Sequence, residues 1–210
     1  MAKSRAQGAS ASLRWWIMAI PALPVSAYAF YFIFYTPSGN RPTRTRMLSS
    51  IHGYIHIIAG GVAMLLGPIQ FVEKVRRLYP SVHRWVGRVY AAAIFASGLC
   101  GLQVSMDSNA YPIGDYGFAI LAILWMATMT MGLRTIWSGD VSGHREWMIR
   151  NFALTYAAVM LRWQLALMIL FYRMTLPAAL TIAAYSCWIP NIIFAEWYIG
   201  MRKNRKLAVE

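Results

Sequence analysis

The run IHGYIHIIAGGVAMLLGPIQFV, residues 51–72, constrains this chain more than any other stretch. It is apolar and long enough to cross a bilayer, since a spanning helix needs roughly 20 mostly apolar residues. At the helical period, His52, His56, Ala59, Ala63, Gly67 and Gln70 fall on one narrow stripe. That stripe holds the strongly polar residues of the segment and otherwise small ones. Polar groups facing lipid are costly, and small residues let helices approach closely, so the stripe is expected to face other helices.

Composition agrees. Of 210 residues, 59% are hydrophobic and only 13% charged, against about 25% charged in soluble domains. Mean hydropathy is +0.46. Lys and Arg total 20 against 7 acidic residues. In a soluble protein this excess would suggest nucleic acid, but here the basic residues cluster in short segments beside apolar runs, the positive-inside pattern, so no nucleic-acid partner is expected. Cys100 and Cys187 lie in apolar segments without a CxxC pattern and read as small core residues.

The expected fold class is an all-α membrane protein of about six transmembrane helices, a single domain over residues 15–201. Residues 1–14 and 202–210 are expected as basic cytoplasmic tails. Spans are expected near 15–35, 51–72, 89–106, 116–137, 148–172 and 178–201, the last kinked at Pro190. Ala27-Tyr28-Ala29 resembles a signal-peptide cleavage site, but FYFIFY continues the apolar run, so an uncleaved anchor is the reading. The N-terminal tail, the 73–88 and 134–150 turns and the C-terminal tail together hold 15 of the 20 basic residues. Both termini are therefore expected in the cytoplasm and the 107–115 loop outside, with Arg41, Arg44 and Arg46 discordant.

Two hairpins, about 51–106 and 116–172, share a basic turn that ends in His-Arg…Arg: His83-Arg84-Trp85-Val86-Gly87-Arg88 and His144-Arg145-Glu146-Trp147-Met148-Ile149-Arg150. They read as an internal duplication about an axis along the membrane normal.

The runs HIIAGGVAMLLGPIQF, HRWVGRVY and GDVSGHREWMIRNFALTYAAVMLR resemble a family of bacterial membrane proteins known as domain-of-unknown-function family 2306, over roughly residues 50–170. The resemblance implies a multi-pass fold in the bacterial inner membrane and no particular activity. By motif it points to His56, Gln70, His83, Arg84, Gly87, Arg88, His144, Arg145, Trp147, Arg150 and Arg162.

Each polar group has a structural and a chemical reading. His52 and His56, one turn apart, can share a metal or simply bridge helices. His83 and His144, at matching places in the hairpins, can ligate one haem b from opposite sides or cap their helices. Arg84, Arg88, Arg145 and Arg150 suit one anion site built on two helix starts, or serve topology alone. Arg162 lies inside the fifth span, on a face shared with Met148, Asn151, Thr155 and Ala158. An intramembrane arginine faces a bundle interior or snorkels. Gln70 and Arg162 complete the expected ligand-contacting set. Three functions follow from these groups. The first is a membrane protein binding a lipid, quinone or similar small ligand between its hairpins, or a membrane protein partner. The second is a haem- or metal-dependent redox protein, and the third a small-molecule transporter. No residue constellation indicates hydrolysis, so binding is favoured over catalysis.

Overall fold

The computed structural model describes residues 2–34, 47–108, 110 and 113–207, and they are helical apart from short turns. The polar connection expected over 36–50 lies outside the described residues as far as residue 46, as do residues 208–210 of the tail. In chain order the helices are α1 (Ala2–Phe34), α2 (Ile51–Gln70), α3 (Glu73–Leu78), α4 (Pro80–Met106), α5 (Ile113–Trp137), α6 (Val141–Thr155), α7 (Ala157–Leu170), α8 (Leu176–Ser186) and α9 (Ile189–Leu207). Among the described residues, five helical stretches are long and apolar enough to cross a membrane: α2, α4, α5, α6 with α7, and α8 with α9. The α1 helix adds a shorter apolar stretch, Met18–Phe34, which brings the set to about six.

Several boundaries differ from expectation, each for a local reason. The basic 73–88 segment is largely helical, because Pro80, which lacks an N–H to donate, starts α4 nine residues ahead of the expected span. Residues 2–14 continue α1, and the basic end continues α9 as far as Leu207. The fifth span is interrupted at Tyr156. There Thr155 Oγ1 bonds back to the Asn151 carbonyl at 3.0 Å, a contact that loosens a helix. The sixth breaks between Ser186 and Ile189, just ahead of Pro190.

Packing pairs neighbouring helices. The α2 helix lies along α4, α5 lies along α6, α4 joins the two pairs through α5, and α1 lies against α2. Small residues set the spacing. A Cβ on Gly61 would come within 3.1 Å of the Ala29 Cβ, and Ser26 Oγ donates to the Gly61 carbonyl at 2.9 Å, so α1 and α2 nearly touch. At Gly67 an added Cβ would fall 2.5 Å from the Phe152 ring. Outward faces carry exposed Ile20, Leu99, Ile123, Trp163 and Ile193, as lipid contact requires.

A buried polar network ties the two hairpins together near mid-bundle. Tyr90 Oη on α4 donates to Asn151 Oδ1 at 2.9 Å and lies 3.0 Å from Thr155 Oγ1. Trp125 Nε1 on α5 donates to Thr155 Oγ1 at 2.8 Å. Asn151 Nδ2 donates to the Trp125 carbonyl and to Thr128 Oγ1, at 2.9 and 3.0 Å. Tyr90 and Asn151 are fully enclosed. The Asn151–Thr155 face is the inner stripe expected of the fifth span.

Candidate functional site

The bundle has a basic end, where α4 and α6 begin and α9 finishes, and an opposite end at Ser50, Asp107 and Ser108. A cavity of about 280 Å³ extends from that opposite end into the bundle, with Trp125 and Thr155 of the polar network among its walls. Its polar lining includes His56, Ser97, Ser105 and Arg162, and the rest is largely apolar.

The stripe on α2 brings His56 here. Its Nδ1 lies 2.9 Å from the Ser97 carbonyl oxygen, which can only accept, so Nδ1 carries the proton. Ser97 Oγ sits 3.2 Å from the same nitrogen and donates to the His56 carbonyl at 2.9 Å. The ring lies over Gly101, where a Cβ would be 3.0 Å from Nδ1. With Nδ1–H committed, Nε2 is left as an acceptor. Among the described residues nothing bonds to it.

Arg162 enters from α7. One guanidinium nitrogen, Nη1, donates to the Ala158 carbonyl at 3.0 Å, and among the described residues no carboxylate pairs with it. It is exposed and lines the cavity. His56, Tyr28 and Cys187 are within its electrostatic reach. The sequence left Arg162 to face the interior or to snorkel; that it lines one cavity with His56 is a tertiary fact. His52 does not join them. One turn away on the same helix, it is exposed.

At the basic end, His83 and His144 are each the fourth residue of their helices, α4 and α6, and lie within electrostatic reach of one another. Neither lines the cavity. His144 Nδ1 donates to the Gly132 carbonyl at 2.7 Å, whereas His83 Nδ1 is buried without a partner. Gln70 is buried against Gly87, 3.4 Å from where a Cβ there would lie, and its Nε2 is also unpartnered.

The four motif arginines have different partners. Arg84 is exposed and bonds Ser81 Oγ at 3.3 Å. Arg88 is exposed and stacks on Trp85 at 4.8 Å. Arg150 stacks on Trp147 at 4.7 Å and is clamped by Glu196 of α9 through two bonds of 2.5 and 2.8 Å. Arg145 is exposed and lines a small cleft of about 110 Å³ with Glu146, Arg202 and Lys203. Among the described residues no three His, Cys, Asp or Glu side chains come together as a metal set.

The model of the family described as "Predicted membrane protein (DUF2306)" matches residues 53–199. The chain belongs to this family. The match continues through the last span, beyond the 50–170 range suggested by the motifs. Membership in DUF2306 supports a multi-pass membrane protein and assigns it no activity. Comparison with curated proteins and with solved structures gives no match.

Two features of the site were not anticipated from the sequence. Ser97 and Gly101 seat the His56 ring from α4, and Tyr90, the last residue of HRWVGRVY, enters the network beneath the cavity. A polar or small residue every three or four positions in Ser97, Gly101 and Ser105 was the available signal.

Proposed function

We propose that this DUF2306 protein binds a lipophilic small molecule of the lipid or quinone kind, polar head inward, in the cavity between its hairpins. The observation that carries this reading is the Arg162 guanidinium, which lines the cavity with one backbone acceptor and no ion-pair partner among the described residues, although the Asp107 carboxylate lines the same cavity. An arginine inside a membrane is costly unless something answers its charge and hydrogen-bonding capacity. A ligand oxygen does so. Mass spectrometry of small molecules retained by the purified protein tests this. Wild type is expected to retain a lipophile that Arg162→Gln loses, and equal retention by a folded variant overturns the reading.

The basic end is proposed to face the cytoplasm, so that the cavity's Asp107 end faces outward. A reporter fused after Glu210 should then report cytoplasm, and an exported signal there overturns the orientation. A second reading, a haem- or metal-dependent redox centre, is favoured by one observation: His83 and His144 sit at equivalent helix positions within reach of each other. A Soret band in the purified protein, lost in His144→Ala, would support it.

A further inference from the structure

Beside Ser105, Asp107 and Ser108, the cavity is lined by two unlike polar groups on its facing helices. Arg162 can only donate hydrogen bonds. His56, with Nδ1–H given to the Ser97 carbonyl, presents Nε2 as an acceptor. Ser97 cannot relieve that nitrogen, because its hydroxyl lies on the Nδ1 side and donates to the His56 carbonyl at 2.9 Å.

An occupant with acceptor oxygens alone, such as a carboxylate, satisfies Arg162 but leaves Nε2 without a donor or faces it with a lone pair. A polar group left unpaired on ligand binding is penalised. A hydroxyl can answer either kind of group, its oxygen accepting from an Arg162 N–H and its proton going to Nε2. The walls favour an aromatic carrier for that hydroxyl. Phe118 and Trp125 line the cavity, and the Trp125 N–H is already given to Thr155, leaving its ring as an apolar surface. At about 280 Å³ the space suits a ring-sized head group, with Leu121 and Leu161 lining the way for an alkyl chain.

We infer that the cavity selects a lipophilic phenol or quinol head group, its hydroxyl bridging Arg162 and His56, over carboxylates and over ethers lacking the proton. The inference rests on the cavity-binding reading above and names the chemistry of its ligand. Binding of para-nonylphenol, its methyl ether para-nonylanisole, and decanoate to purified wild type by isothermal titration calorimetry tests it. The phenol is expected to bind about tenfold more tightly than the ether, the equivalent of one lost hydrogen bond. In His56→Leu that ratio should fall to about one. Since His56→Leu also removes the bond to Ser97 and can fail to fold, the wild-type ratio decides by itself. Equal binding of phenol and ether, or tightest binding of decanoate, overturns the phenol selection and leaves the cavity a lipophile site. Failure of folded wild type to bind any of the three overturns the binding reading, and the phenol selection with it.

Discussion

The two hairpins begin their returning helices with the same motif and use it differently. In the second, the cap, the histidine and the last arginine are tied down. Asp140 caps α6 by accepting from the Gly143 N–H at 2.8 Å, His144 donates to Gly132, and Arg150 is clamped by Glu196. In the first, Pro80 replaces the cap, His83 Nδ1 is buried without a partner, and Arg88 rests on Trp85 with no acid among the described residues. The difference arises from what packs alongside. The second hairpin has α9 against it, carrying Glu196 and Lys203, while the turn of the first is extended by α3, which supplies Arg76 and Arg77 near its end. One duplicated motif therefore gives a locked half and a half with unspent bonding capacity.

The comparison is most sharply tested where the halves meet. Asn151→Leu removes the acceptor of Tyr90 and the donor to Trp125 and Thr128, leaving several enclosed polar groups unpaired. A loss of about 2–3 kcal/mol is expected, read as a clear fall in the melting temperature of the purified protein. Tyr90→Phe, which removes one hydroxyl and keeps the ring, should cost about 1 kcal/mol, within the range for hydrogen bonds between membrane helices. If Tyr90→Phe proves as damaging as Asn151→Leu, the network is not organised around Asn151.

The clamp gives the next effect. Arg150→Lys loses the two-pronged fit to Glu196 and should cost about 1 kcal/mol, while Arg88→Lys should change stability by no more than about 0.5 kcal/mol. Equal effects of the two substitutions would erase the asymmetry between the halves. The smallest effect concerns the histidines. His144→Leu gives up the bond to the Gly132 carbonyl and should destabilise by about 1 kcal/mol, whereas His83→Leu should be neutral or slightly stabilising, because the nitrogen it removes has no partner to lose. Destabilisation by His83→Leu comparable to that of His144→Leu would show that His83 is engaged after all.

Much of this architecture was legible in the chain. Apolar length and charge distribution implied the spans, and the 3.6 period on residues 51–72 and 148–162 showed which faces turn inward, because burying backbone and polar side chains away from lipid leaves few solutions. Two helix starts carry the related residues His83-Arg84…Arg88 and His144-Arg145…Arg150, which is legible in the chain. Helix limits were less so: Pro80 can start a helix or end one, and only its neighbours decided that α4 begins there.

What tertiary structure alone decided is which polar groups meet. Nothing local distinguishes Arg150, which finds Glu196 forty-six residues on, from Arg88, which finds no such partner. His52 and His56 lie on the same predicted stripe, yet only His56 reaches Ser97 and the cavity, because the stripe's first residue lies at the exposed start of α2. Periodicity determines the direction of a side chain from its own helix. Its partner depends on the depth, rotation and spacing of a second helix, and those are set by close contacts such as Gly67 on Phe152 and Gly101 on His56.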